Sequence, residues 1–100
     1  MSQKQKKQNK EAARTSVIVA FTDDAWDDYK HWTASDSAVS ACIDDLIGEI
    51  MRTPFTGTGK PEALKGDLTG YWSRRINREH RLVYFYEGGL LTVITCRFHY

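Results

Sequence analysis

Cysteine and proline are scarce in this chain, two of each in 100 residues, and no charge of one sign dominates it. Cys42 and Cys96 stand far apart with no C-x-x-C spacing. That excludes a disulfide framework or a zinc site of ordinary ligand spacing, and predicts two reduced, packed thiols in a cytoplasmic protein. No stretch approaches the roughly 20 consecutive apolar residues of a membrane helix, which excludes a spanning segment. The opening MSQKQKKQNKEAARTS is basic but has no apolar run, so it does not read as a secretory signal. No internal repeat and no second domain are visible.

What is present is a packed composition, with 41% hydrophobic and 12% aromatic residues. The net charge of +1 hides three blocks: +4 over residues 1–15, −6 over 22–53 and +3 over 54–100. This layout turns the C-terminal half toward an anionic partner and the acidic half away from it. Residues 1–15 carry no apolar period and read as a flexible basic tail ahead of one domain, residues 16–100.

The domain has the grammar of an α+β fold. Val17-Ile18-Val19-Ala20-Phe21 is a β-branched run of strand length. Thr22 then offers a cap, Asp23 and Asp24 favour a first turn, and Trp26, Tyr29 and Trp32 recur at helical spacing over 23–33. That stripe predicts core or interface packing. Ser35 or Asp36 caps a second helix, with Val39, Ile43, Leu46, Ile47 and Ile50 on one face and Pro54 ending it. Residues 54–70 hold four glycines and both prolines and are expected to be irregular. Runs at 71–76, 81–86 and 90–98, separated by turn residues, read as an antiparallel meander. The expectation is one mainly antiparallel sheet of about four strands, with two N-terminal helices on one face.

Alternation distributes the chemistry. Arg81, Val83 and Phe85 share one face of the middle strand; Leu82, Tyr84 and Tyr86 share the other. Trp72, Arg74 and Ile76 oppose Tyr71, Ser73 and Arg75. Arg74, Arg75, Arg78, Arg81 and Arg97, together with His80, His99 and nearby tyrosines, form a set suited to phosphate, because guanidiniums fork onto oxyanions. Lys60 and Lys65 in the glycine-rich loop extend it. The string GTGK at residues 57–60 lacks P-loop spacing, and Pro61 stands where a Ser or Thr is needed, so nucleotide binding of that kind is rejected. Glu62, which alone would read as a solvated loop carboxylate, gains interest because nucleic-acid hydrolysis without a metal needs a base, an acid and cationic clamps.

The motifs KPEALK, GYWSRRI, EHRLVY and CRFHY, with WDDYKHW and RTPFTGTGKPEAL before them, occur in an order that strongly resembles the YoeB/Txe-type toxins of bacterial toxin–antitoxin pairs, in the RelE/ParE superfamily. The resemblance spans about residues 17–100. Departures are mild: Ala63 for a usual Pro, Gly66-Asp67 in a variable turn, and Phe98 for a common Tyr.

The resemblance implies a RelE-like fold and a cofactor-free, metal-independent mRNA interferase acting in the ribosomal A site. In that reaction the RNA 2′-OH attacks the adjacent phosphate. It implies Glu62 as general base, His99 as general acid, Arg81 as stabiliser of the phosphorane, and Lys65 and Tyr100 as assistants. It also implies a cognate YefM/Axe-like antitoxin, operator DNA bound only through the antitoxin complex, homodimerisation, and no membrane role. Two other readings remain at this point: a noncatalytic toxin of the same fold directed at another target such as gyrase, and an RNA-binding protein that does not cut. The joint presence of Glu62, Arg81, His99 and Tyr100 favours the nuclease.

Overall fold

The computed structural model describes residues 17–98, so the expectations for the basic tail and for His99 and Tyr100 lie outside the described residues. Strand β1 (Ile18–Phe21) leads into Thr22, whose hydroxyl oxygen caps helix α1 (Asp23–Ser35) by accepting from the Ala25 amide at 3.1 Å. The same hydroxyl donates to the Ile94 carbonyl at 2.9 Å, tying the helix start to the sheet. Asp36 separates the helices. Its amide closes α1 on the Trp32 carbonyl, and its carboxylate caps helix α2 (Ser37–Arg52) at the Ala38 and Val39 amides.

The sheet has five strands, one more than expected. Beyond β1 they are β2 (Glu62–Ala63), β3 (Trp72–Arg75), β4 (Arg81–Glu87) and β5 (Leu90–Thr95), in the order β1-β5-β4-β3-β2. The extra strand lies in the loop expected to be irregular, where Glu62 pairs with Ser73 and Ala63 with Trp72. β1 runs parallel to β5 and the other pairings are antiparallel.

Ile43, Leu46 and Ile50 of α2 and Ala25 and Trp32 of α1 pack with Leu82, Tyr84, Leu91 and Val93 on one face of the sheet. The aromatic stripe of α1 splits: Trp32 enters the core, whereas Trp26 is half-exposed against Phe21, Tyr29 and Lys30. Among the described residues both cysteines are free thiols, and no helix is long and apolar enough to cross a membrane. The helices leave the opposite face of β2, β3 and β4 open.

Candidate functional site

The ladder Glu62↔Ser73↔Val83, with Arg75↔Arg81 one step along, sets alternate residues of three strands on that open face. Arg81 joins two clefts there. One, about 460 Å³, is lined by Arg75, Asn77, Arg78 and Arg81. The other, about 210 Å³, is lined by Glu62, Leu64, Ser73, Arg81 and Val83. Glu62 Oε2 lies 3.7 Å from Arg81 Nη1, which also donates to the buried Ser73 hydroxyl at 3.4 Å. Arg81 is therefore braced from beneath, while the Glu62 side chain remains 65% exposed and accessible to a ligand. Arg75 opposite Arg81 is an unfavourable pairing of like charges that an anion between them would relieve.

The last described residues approach Arg81 through the backbone. β5 was expected to continue to residue 98, but it stops at Thr95. Asp28 of α1 accepts from the Thr95 hydroxyl at 2.8 Å and the Cys96 amide at 3.2 Å, and the Trp32 indole donates to the Cys96 carbonyl at 2.8 Å. These side chains satisfy groups that strand pairing would otherwise claim. Phe98 then takes a left-handed φ of 63°, and its carbonyl accepts from the Arg81 amide at 2.9 Å. The residue bonded to His99 thus sits on the backbone of Arg81.

Arg74 corrects the sequence reading. It was expected to bind phosphate, but it is fully buried on the helix side. Its Nε donates to the Tyr84 hydroxyl, Nη1 to Glu49 Oε1 and the Thr58 carbonyl, and Nη2 to the Thr53 and Thr56 carbonyls, at 2.7–3.2 Å. A guanidinium has five N–H groups, so none is left for a ligand. Arg74 is the post around which residues 53–58 wrap. Burial pushes the Tyr84 phenol above its ordinary pKa, partly offset by Arg74, and the phenol donates to the Pro54 carbonyl at 2.6 Å.

The remaining expected contacts are dispersed. Arg97 lines a separate cleft with Asp24, Asp27 and Asp28, its guanidinium stacked over Phe98 and Trp32. Lys60 and Lys65 are exposed on either side of β2, with Lys60 in a left-handed turn that the Gly59 carbonyl fastens to the Arg75 amide at 2.6 Å. Three contributors escaped the sequence reading. Ser73 supports Arg81; its parity with Arg75 carried that signal. Arg78 and Asn77 line the cleft beside Arg81, a placement that the turn pattern between the strands does not reveal. Among the described residues, no three His, Cys, Asp or Glu side chains converge as a metal cluster.

Fold and site together define a small α+β protein with a basic face centred on one arginine–glutamate pair. The profile of the YoeB-like toxin of bacterial type II toxin-antitoxin system matches residues 21–100. Toxin YoeB of Streptomyces coelicolor is 52% identical over 82 residues, covering 82% of this chain and 98% of that protein. A YoeB dimer from Staphylococcus aureus superposes with a TM-score of 0.81 at 40% identity, covering 86% of this chain and all of that one. The heterotetrameric YoeB-YefM toxin–antitoxin complex from the same organism gives 0.79 at 41%, covering 84% and 98%. The chain belongs to the YoeB toxin family of type II toxin–antitoxin systems.

Proposed function

We propose that this toxin is a ribosome-dependent endoribonuclease that cuts mRNA in the A site and thereby stops translation. The observation that carries the reading is Glu62 beside Arg81 on an open basic face, with Phe98, the neighbour of His99, bonded to Arg81. Glu62 takes the 2′-OH proton as the 2′-oxygen bonds to phosphorus. Arg81 neutralises the charge that grows on the phosphorane. His99 gives its proton to the leaving 5′-oxygen, with Tyr100 and Lys65 assisting, so the products are a cyclic phosphate and a 5′-OH. Arg75 and Arg78 hold flanking phosphates, as do Lys60 and Arg97 at the periphery. No metal enters this scheme, and the general base and acid are side chains of the chain itself.

The partner follows from the relatives. The Staphylococcus aureus relatives form a YoeB-YefM complex and a YoeB dimer, which supports a YefM/Axe-like antitoxin that covers or distorts this face and a homodimer of this chain; operator DNA is met only through the antitoxin complex.

Mapping RNA ends on a defined ribosome–mRNA complex tests the proposal. The expected result is a single-turnover cut in the A-site codon leaving a cyclic phosphate, lost by about 10²–10⁴ in His99→Gln, the span of general acid–base catalysis. An uncut message at saturating protein on intact ribosomes overturns it and leaves a noncleaving binder.

A further inference from the structure

His80 is buried, and the scheme above gives its ring no task. Its backbone is held from both sides. The Asn77 carboxamide oxygen accepts from the Glu79 and His80 amides at 2.9 and 2.8 Å, and the His80 carbonyl accepts from Ile76 at 2.9 Å. The ring packs edge-on against Trp32, centroids 4.7 Å apart, and against Phe98 at 5.4 Å. Its Nδ1 accepts the Phe98 amide proton at 2.7 Å. The next residue, Arg81, donates its own amide to the Phe98 carbonyl. His80 and Arg81, consecutive residues at the start of β4, therefore grip both backbone polar groups of one residue, Phe98.

That grip falls where the chain most needs it. Phe98 is a bulky residue at positive φ, a strained conformation that persists only when the surroundings enforce it. Upstream, Asp28 and Trp32 fix Cys96. Among the described residues, His80 makes the side-chain hydrogen bond nearest in sequence to the proposed acid.

We propose that His80 is a positioning residue: it holds Phe98 in the left-handed turn and so sets the point from which the chain continues to His99. The functional half of this inference rests on the endoribonuclease reading. The bond uses the Nδ1 lone pair as acceptor and leaves Nε2 as the ring's donor, facing the exposed Glu79 carboxylate at 3.8 Å. An aliphatic residue would fill the space between Trp32 and Phe98 but offer no acceptor. Asparagine would place its carboxamide oxygen near the position of Nδ1.

The test pairs His80→Leu with His80→Asn and reads two observables. Nitrogen-15 NMR of the isolated protein should show the Nε2–H tautomer and a Phe98 amide that exchanges slowly. That protection should vanish in His80→Leu and return in His80→Asn. Single-turnover cleavage on ribosome-bound mRNA should fall by roughly 10–100-fold in His80→Leu, because small misplacements of a catalytic group cost on this scale. Ribosome affinity should change less than about threefold and His80→Asn should recover most of the rate. A Phe98 amide that is unprotected in the wild type, or equally protected in His80→Leu, overturns the clamp. Full cleavage by a His80→Leu protein that has lost the protection overturns its role in positioning. A wild-type protein that never cuts overturns the endoribonuclease reading, and the NMR arm then decides the clamp alone. If His80→Leu does not fold, the His80→Asn protein carries the test: a protected Phe98 amide with near-normal cleavage supports the clamp, and an unprotected amide with near-normal cleavage overturns it.

Discussion

Arg74 and Arg81 are the same side chain on neighbouring strands, and strand parity sends them to opposite faces. Arg74 pairs with Leu82 and points into the helix side; Arg81 pairs with Arg75 on the open side. Their parity was legible in the alternation of the two strands, and Trp72 beside Arg74 marked the packed face. The acceptors were not legible, because the Thr53, Thr56 and Thr58 carbonyls reach Arg74 only after a glycine-rich loop has folded back. Arg74→Ala should therefore destabilise the fold by about 3–5 kcal/mol, the cost of stripping one partner from a buried charge network, seen as a fall in the denaturant midpoint. Arg74→Lys should be nearly as harmful, since an ammonium lacks the planar five-donor fork. The thiols give a second prediction at this scale. Burial, with Asp28 adding to it, pushes the Cys96 thiol up to about 12, and burial followed by Asp45 raises Cys42. Alkylation of the folded protein at pH 8 should leave Cys96 untouched and modify the half-buried Cys42 slowly, whereas denatured protein takes two adducts. Rapid double alkylation without denaturant would contradict the burial of Cys96.

Elements were legible where local rules agree. Thr22 and Asp36 cap helices as their side chains require, and Pro54 follows the end of α2. Two departures arose where a distant group overrode local pattern. β5 stops early because α1 takes over the polar groups at its end, and β2 forms because Glu62 and Ala63 meet the free edge of β3. The loop between α2 and β2 depends on Glu49, whose carboxylate accepts from the Thr58 amide and from Arg74. Those bonds, Thr58 first, hold Glu49 below the usual carboxylate range. A depressed carboxyl contributes stability above its unfolded pKa of about 4.3 and loses it as pH falls through the folded value. The difference in melting temperature between wild type and Glu49→Gln should thus be largest near neutrality and shrink under acid. A gap that widens as the pH drops would mean that Glu49 is not the stabilising anion. Gly57 belongs to the same device, with φ at 124° and no room for a Cβ, which would collide with Glu49 Oε1. Gly57→Ala should cost about 2 kcal/mol or more by combining backbone strain with displacement of that carboxylate.

At the scale of the molecule, one sheet separates stability from proposed chemistry. The helix face holds Ile43, Ile50, Leu82, Tyr84 and the Arg74 network, while the open face holds Glu62, Arg75, Arg78 and Arg81. The charge blocks of the sequence anticipated part of this division: the acidic residues of 22–53 fall mainly on the helices, and Arg75, Arg78 and Arg81 supply the open face, whereas Arg74 is buried on the helix side and Arg97 lies in a separate cleft. The two faces should therefore fail differently. Ile43→Ala removes a fully buried side chain from the centre of the core and should cost 2–5 kcal/mol, the usual range for such a truncation. Its effect on cleavage per folded molecule should be within a few-fold. Arg81→Ala removes a partly exposed side chain whose polar contacts are a 3.7 Å ion pair and a long bond to Ser73. It should leave the melting temperature almost unchanged yet lower single-turnover cleavage by about 10²–10³, the loss expected for one preorganised oxyanion stabiliser. Ribosome affinity should fall far less, because Arg75 and Arg78 remain to meet phosphate. Thermal melts and single-turnover rates on the same two preparations decide the matter. An Arg81→Ala protein that melts early, or one that cuts at the wild-type rate, would place Arg81 among the structural residues and remove the centre of the site.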